Sequence, residues 1–372
     1  MQLPTETDLQ VPPATAWEPR TILVTGGAGF LGSHLCDLLL TQGNRVISLD
    51  DYSTGAPDNL AMASENPKFR AITHDITQPI PEDLPRFDDI YNLACPASPR
   101  HYQRDPLRTA MTSALGAWNV MARAHRDTAR ILHASTSEIY GDPLIHPQTE
   151  DYHGNVNPVG PRACYDEGKR FAETILTDFT RATGLPVRIA RIFNTYGPRM
   201  RPDDGRVVSN FITQALTGQD LTIYGSGEQT RSFCHVGDMV AGFHALMHSP
   251  NATAHPVNLG NPTEMTMHEL ARMVIEMTGA DLRICSQPLP IDDPQRRRPD
   301  ISPAQRLLGW QPQIPIAEGL AITIRDFETR LCPQPAPAEF APLATRLAGH
   351  IAGAVPASTG AASPLPGVFT VR

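Results

Sequence analysis

Residues 21–35 read Thr-Ile-Leu-Val-Thr-Gly-Gly-Ala-Gly-Phe-Leu-Gly-Ser-His-Leu, and the fold class follows from this stretch. A short β-branched run, Thr21–Thr25, feeds a turn with glycines at 26, 29 and 32, and a helical period then spans 29–42. Three glycines alone are common. Placed between a strand and a helix, they let the backbone approach a pyrophosphate whose charge sits at the positive helix N-terminus. A second strand, Arg45–Asp50, ends in an acid eighteen residues beyond Gly32. An acid there accepts bonds from the adenosine ribose hydroxyls and repels a 2'-phosphate, favouring NAD over NADP. Asp75, closing a third strand, stands where it would contact the adenine.

Working outward, further strand-like runs fall at 68–73, 89–93, 130–134 and Val187–Ile192, with helical periods at 107–126 and Ala163–Thr183. Such alternation predicts an α/β fold: a doubly wound parallel sheet of the Rossmann type with a smaller C-terminal substrate-binding lobe. The expected organisation is a Pro-rich disordered leader over 1–18 and a cofactor-binding domain over 19–195, to which 235–262 returns. A nucleotide-sugar lobe is expected from 196–234 and 263–332, and a disordered tail over 333–372 with at most a short helix at 344–351.

Composition narrows the function classes. The chain of 372 residues carries a net charge of -8 without a long Lys/Arg block, which argues against nucleic acid as a partner. A few placed arginines still suffice for a small anionic ligand. The six cysteines form no C-x-x-C pair, so free thiols in a reducing compartment are expected. The polar start is unlike a signal peptide, and no apolar run reaches membrane-spanning length; the expectation is a cytoplasmic protein. Asn251-Ala252-Thr253 is then a coincidental glycosylation sequence. His244 and His248 are four apart on a helix, but no third ligand is near, so no metal site is expected.

Tyr165 and Lys169 share a helix face at i, i+4. An ammonium beside a tyrosine favours the phenolate, lowering a pKa of about 10 toward one useful to a base. The pair gains weight from Ser135-Thr136-Ser137-Glu138, immediately after the fifth strand, because open parallel sheets bind ligands beyond the carboxyl ends of their strands.

These residues lie in longer runs: ACPASP at 94–99, STSEIYGD at 135–142, GNVNPVGPRACYDEGKR at 154–170, RIFNTYGPRM at 191–200 and DGRVVSNF at 204–211. Over about residues 20–330 the chain resembles the extended short-chain dehydrogenase/reductase family, and within it the UDP-glucuronate decarboxylases. The resemblance implies decarboxylation of UDP-glucuronate to UDP-xylose through a 4-keto intermediate, with NAD regenerated in place. It makes Tyr165 the base of the hydride step, with Lys169 on the nicotinamide ribose. Thr136 would orient the sugar hydroxyl and Glu138 serve the decarboxylation. It puts Arg297, within Asp292-Asp293-Pro294-Gln295-Arg296-Arg297-Arg298, on the sugar carboxylate, with Arg296 and Arg298 as alternatives. Phe30, Leu31, Ile76 and Leu93 join the cofactor set, and Pro96, Ser98, Asn194, Arg206, Tyr224 and Arg231 the substrate set, Arg231 for the diphosphate. Relatives pair the helices 107–126 and Ala163–Thr183 into a homodimer. The chain departs from the family pattern at Asp51, where many relatives carry Asn, and at His153, where they carry Trp.

Three rivals stand beside this reading. A sugar-nucleotide epimerase or dehydratase shares the fold and the Tyr-Lys pair, but a dehydratase calls for Asp-Glu where Ser137-Glu138 stands, and an epimerase needs no arginine for a carboxylate. An oxidative decarboxylase would release the 4-keto-pentose and NADH. A non-catalytic NAD-binding module would be free to lose Tyr165, Lys169 or Thr136, all of which are present.

Overall fold

The computed structural model describes residues 18–250, 255–289 and 296–332. Most of the leader, the glycosylation-like triplet, residues 292–295 of the arginine loop and the 333–372 tail lie outside them. By contacts the chain divides into Met1–Leu331 and Cys332–Arg372; the sheet, its helices and the cleft all belong to the first unit.

Seven strands form one parallel sheet: β1 (Thr21–Thr25), β2 (Arg45–Asp50), β3 (Phe69–Thr73), β4 (Asp89–Asn92), β5 (Arg130–Thr136), β6 (Val187–Ile192) and β7 (Pro256–Leu259). Their order is β7-β6-β5-β4-β1-β2-β3, so the chain reverses direction across the sheet between β1 and β4. Ligands of doubly wound sheets bind at that switch point, outside the carboxyl ends of the strands. The register brings Thr25, Asn92 and His133 side by side, and their side chains bond in a row, Thr25 to Asn92 at 2.7 Å and Asn92 to His133 at 3.2 Å. A buried polar row paired in this way favours that register over a one-residue slip, which would break both bonds.

The expected strands are present with shifts of a residue or two at their ends, β5 running on to Thr136. The helical period at 107–126 is not one helix. It divides into α2 (Pro106–Met111), a π-turn at Thr112–Gly116 and α3 (Ala117–Asp127). The Thr112 hydroxyl bonds back to the Arg108 carbonyl at 2.8 Å, competing with the regular ladder. Gly116 meanwhile passes so near Ile76 that a Cβ there would lie 2.6 Å from its Cδ1.

Helix α1 (Phe30–Thr41) and α4 (Ala163–Thr183) cover opposite faces of the sheet. One face buries Leu35, Leu39, Met239, Phe243 and Trp310 with β1, β6 and β7. The other buries Phe87, Val120, Met121 and Leu176. Each large side chain so buried contributes roughly 1.5–3 kcal/mol, offsetting the entropy of ordering the chain. A third core unites α5 (Val207–Leu216), α6 (Met267–Thr278) and α7 (Ile316–Leu331) around Phe211, Ile223, Leu270 and Phe327, beyond the carboxyl ends of the strands. The site lies between that core and the sheet.

Candidate active site

The turn after β1 is shaped by what a side chain would strike. Gly26 has φ 71°, and a Cβ there would lie 2.8 Å from the Ala94 nitrogen, on the chain leaving β4. A Cβ on Gly32 would lie 2.1 Å from the Gly26 carbonyl oxygen. Both obstacles are backbone, so neither gives way, and bare backbone is left facing the cleft. Asp50 closes β2 beside it, accepting from the Ala28 amide at 2.9 Å and the Tyr52 amide at 2.8 Å. A carboxylate offers about four acceptor directions, and the Gly29 amide also bonds to it, so one remains for a ribose hydroxyl. Burial pushes the Asp50 carboxyl above its usual range, against the pull of those amides.

The cleft built on this turn measures about 1500 Å³, its open mouth included. Of the residues expected in the site, Gly26, Gly29, Phe30, Leu31, Gly32, Asp50, Asp75, Ile76, Leu93, Pro96, Ser98, Thr136, Glu138, Tyr165, Lys169, Asn194, Arg206 and Arg297 all line it. Two do not. Tyr224 is half exposed near the end of its strand. Arg231 is buried, and its backbone pairs with that of Arg297, so it stands behind the wall. Asp75 and Asp51 share Arg108 at the mouth, at 3.4 and 2.6 Å. The Asp51 charge is thereby matched.

At the catalytic end, Tyr165 stacks flat on Tyr102, ring centroids 4.8 Å apart. Thr136 bonds to the Tyr165 hydroxyl. Lys169 donates to the Ala134 carbonyl at 2.7 Å, its nitrogen 5.9 Å from the Tyr165 ring centre. The expected lowering of the tyrosine by lysine is not what this geometry produces. Burial pushes Tyr165 well up, with the charge of Glu138 adding to it, and the Thr136 bond only partly opposes them. Burial also lowers Lys169.

Glu138, 8% exposed, is the centre of a charge cluster that sequence reasoning did not anticipate. Its carboxylate accepts from Arg162 at 2.8 Å, from the Tyr102 hydroxyl at 3.2 Å and from Arg297 at 3.5 Å. Burial alone would raise its pKa, but Arg162 and Arg297 outweigh that and hold it well below the usual range. Asp166 is hydrogen-bonded to it and moves the other way, raised first by burial and then by the Glu138 charge. Two touching carboxyls repel each other's charge, which favours one shared proton on the pair, and the arginines favour the negative charge on Glu138. Arg162 and Asp166 were legible only as members of a motif run; their i, i+4 spacing was the one local signal.

Arg297 is the member of its triplet that reaches the cleft. Arg298 points to Glu264 at 3.6 Å, and Arg296 is exposed. The Nε of Arg297 is buried without a hydrogen-bond partner among the described residues. Among those residues no cluster could hold a metal ion, the six cysteines are free, and no helix is long and apolar enough to cross a membrane.

Residues 23–323 match the family described as GDP-mannose 4,6 dehydratase. UDP-glucuronic acid decarboxylase 6 of Arabidopsis thaliana is 54% identical over 311 residues, 83% of this chain and 89% of that protein. UDP-glucuronic acid decarboxylase 1 of Xenopus tropicalis is 50% identical over 312 residues, 84% of this chain and 73% of its own. Among solved structures, UDP-glucuronic acid 4-epimerase from Bacillus cereus, in complex with UDP-glucuronic acid and NAD, superposes with a TM-score of 0.75 at 26% identity. That likeness covers 83% of this chain and 99% of the epimerase.

Proposed function

The chain belongs to the GDP-mannose 4,6 dehydratase family and, within it, to the UDP-glucuronic acid decarboxylases, and on that premise we propose that it converts UDP-glucuronate to UDP-xylose with bound NAD. The observation that carries this reading is the convergence of Arg297, Glu138, Thr136 and Tyr165 on one cleft. A cation with an unpaired Nε, suited to a sugar carboxylate, then stands beside a hydroxyl pair suited to the neighbouring sugar hydroxyl. The bare glycine turn and Asp50 fit a dinucleotide.

Held by the glycine turn, Asp50 and Lys169, NAD would supply the hydride acceptor for C4 and the donor for its return. Thr136 orients the C4 hydroxyl, and the Tyr165 oxygen takes its proton. The ketone so formed is beta to the carboxylate. Loss of carbon dioxide sends an electron pair into that carbonyl, and Tyr165 and Thr136 stabilise the resulting enolate oxygen. Arg297 holds the carboxylate until it leaves, and Glu138 serves the protonation that follows. Lys169, fixed by Ala134, is the partner for the nicotinamide ribose. Asp50 serves the adenosine ribose and Asp75 the adenine, with Phe30, Leu31, Ile76 and Leu93 against the rings. Pro96, Ser98, Asn194 and Arg206 line the substrate end. Tyr224 and Arg231, outside the lining, belong to the substrate set only if the wall adjusts around the nucleotide.

The division into a cofactor domain (19–195 with 235–262) and a sugar-nucleotide lobe (196–234 with 263–332) accompanies this reading, as does a cytoplasmic homodimer. Leu107, Trp118 and Phe171 stand exposed on α2, α3 and α4, which supports pairing of those helices between subunits. Trp118→Asp is expected to yield monomers in sedimentation.

The activity is tested by incubating purified protein with UDP-glucuronate and substoichiometric NAD, following products by mass spectrometry and proton NMR. UDP-xylose in excess over NAD is expected. A keto-pentose with stoichiometric NADH would move the protein to the oxidative reaction. An absence of turnover despite NAD binding would sink the assignment.

A further inference from the structure

Glu138 and Asp166 face different cavities. Glu138 lines the large cleft. Asp166 lines a second cavity of about 570 Å³, mouth included, together with Gly141, Asn155, Asn157 and Arg162. The two linings share no residue. The hydrogen bond between the two carboxyls joins them. Helix geometry explains the arrangement. Asp166 follows Tyr165 and is therefore turned about 100° around α4 from it, while Arg162 lies one turn earlier on the Asp166 face. The wall of the second cavity is held by backbone. Gly141, at φ 61°, abuts Asn155 so closely that a Cβ would lie 2.0 Å from its carbonyl oxygen, and Asn155 in turn donates to the Tyr140 carbonyl at 2.9 Å.

Decarboxylation requires a proton at this point. When the bond to the carboxylate breaks, its electron pair becomes an enolate, and the enolate carbon must be protonated before hydride can return to C4. The hydride is borrowed and given back, so each carbon dioxide released takes up one proton from water. We propose that Asp166 supplies this proton, passing it through Glu138 to the enolate carbon, and is recharged from water through the second cavity. In the step the pair goes from singly protonated to fully ionised, the enolate becomes a ketone, and a proton from the second cavity restores the pair. Glu138, Arg162 and Arg297 face Asp166, with Tyr102 and Tyr165 beyond Glu138, and Asp142 shares the second cavity. Repulsion between the touching carboxyls favours the singly protonated state at rest, and the two guanidinium charges of Arg162 and Arg297 let the fully ionised state form in passing. The Oδ1 of Asp166 has no hydrogen-bond partner among the described residues. Asp166 acts through Glu138 and touches no substrate.

The inference rests on the proposed decarboxylation, and the test separates the two. The full-length NAD-loaded enzyme and its Asp166→Asn variant are each mixed with UDP-glucuronate in a single turnover, following NADH absorbance and carbon dioxide release. The variant is expected to form NADH and release carbon dioxide near the unsubstituted rate, while re-oxidation of NADH slows roughly 100-fold. In Asp166→Ala, added formate is expected to restore re-oxidation, entering by the second cavity. Re-oxidation at the unsubstituted rate in Asp166→Asn overturns the proposal. So does a uniform slowing of every step without rescue by formate, which is the signature of a structural role. Should neither variant fold, the unsubstituted enzyme decides: its re-oxidation step must slow as pH rises and show a solvent deuterium effect, and the absence of both overturns the relay. An unsubstituted enzyme that releases no carbon dioxide overturns the function itself.

Discussion

The two ends of the cleft are built on opposite principles. At the cofactor end the wall is backbone: Gly26 and Gly32 leave room by lacking a side chain, and Asp50 is held by the amides of Ala28 and Gly29 in the turn and of Tyr52 just after its own strand. At the catalytic end the wall is charge: Glu138 and Arg297 line the cleft from distant parts of the chain, backed by Tyr102 and by Arg162 and Asp166 from one helix start. The first end tolerates almost no added volume. The second tolerates volume better than an unbalanced charge, because an unpaired buried ion costs more than the ion pair contributes.

The largest effect should come from the catalytic end and appear in rate. Tyr165→Phe removes the hydroxyl at the sugar, and kcat should fall roughly 1,000-fold while NAD is still retained, as read by product formation and cofactor content. A modest loss would mean that Thr136 or Glu138 carries the proton transfer. Next comes stability. Glu138→Ala strands Arg162 and Arg297 together, and urea unfolding should show a loss of about 3–5 kcal/mol. Glu138→Gln should also lose the pH dependence that the ion pair confers. Because the folded state holds Glu138 below its unfolded pKa, its contribution is full above the ordinary carboxylate range and fades as pH falls through the depressed value. The unsubstituted protein should therefore lose more stability than Glu138→Gln on acidification, and equal losses would refute the assigned charge.

At the cofactor end, Gly32→Ala drives a Cβ toward the Gly26 carbonyl, and about 1–3 kcal/mol of stability should be lost with weakened NAD binding in calorimetry. Unchanged affinity would show that the turn is not shaped by sterics. The smallest effect is expected at Gly43, which has φ 82° but nothing near its would-be Cβ. Gly43→Ala should cost about 1 kcal/mol of backbone strain and leave KM for UDP-glucuronate unchanged.

The same contrast explains what could be read before folding. The glycine turn, the acid at the end of β2 and the strand-helix alternation are local patterns with local causes, so they were legible. The π-turn at Thr112–Gly116 was not, because it interrupts the bonding pattern without interrupting the apolar period. The upward push on Tyr165 was not legible for a related reason: spacing shows that Lys169 is near, but it does not report burial. Tyr224 and Arg231 were chosen from family runs, and their distance from the cleft lining depends on how the outer core packs on the sheet.

By itself, the chain's order of residues determined a parallel sheet with a dinucleotide turn at its switch point and a Tyr-Lys pair on one helix face, since each depends on periods of two or 3.6 residues and on glycine sterics. Only the tertiary structure decided which arginine of 296–298 enters the site, and that Glu138 carries its charge between two arginines while Asp166 stands between it and a second cavity. Those outcomes depend on burial and on contacts across 24 to 159 positions of chain, and the electrostatics of a buried group are set by whatever neighbours the fold delivers.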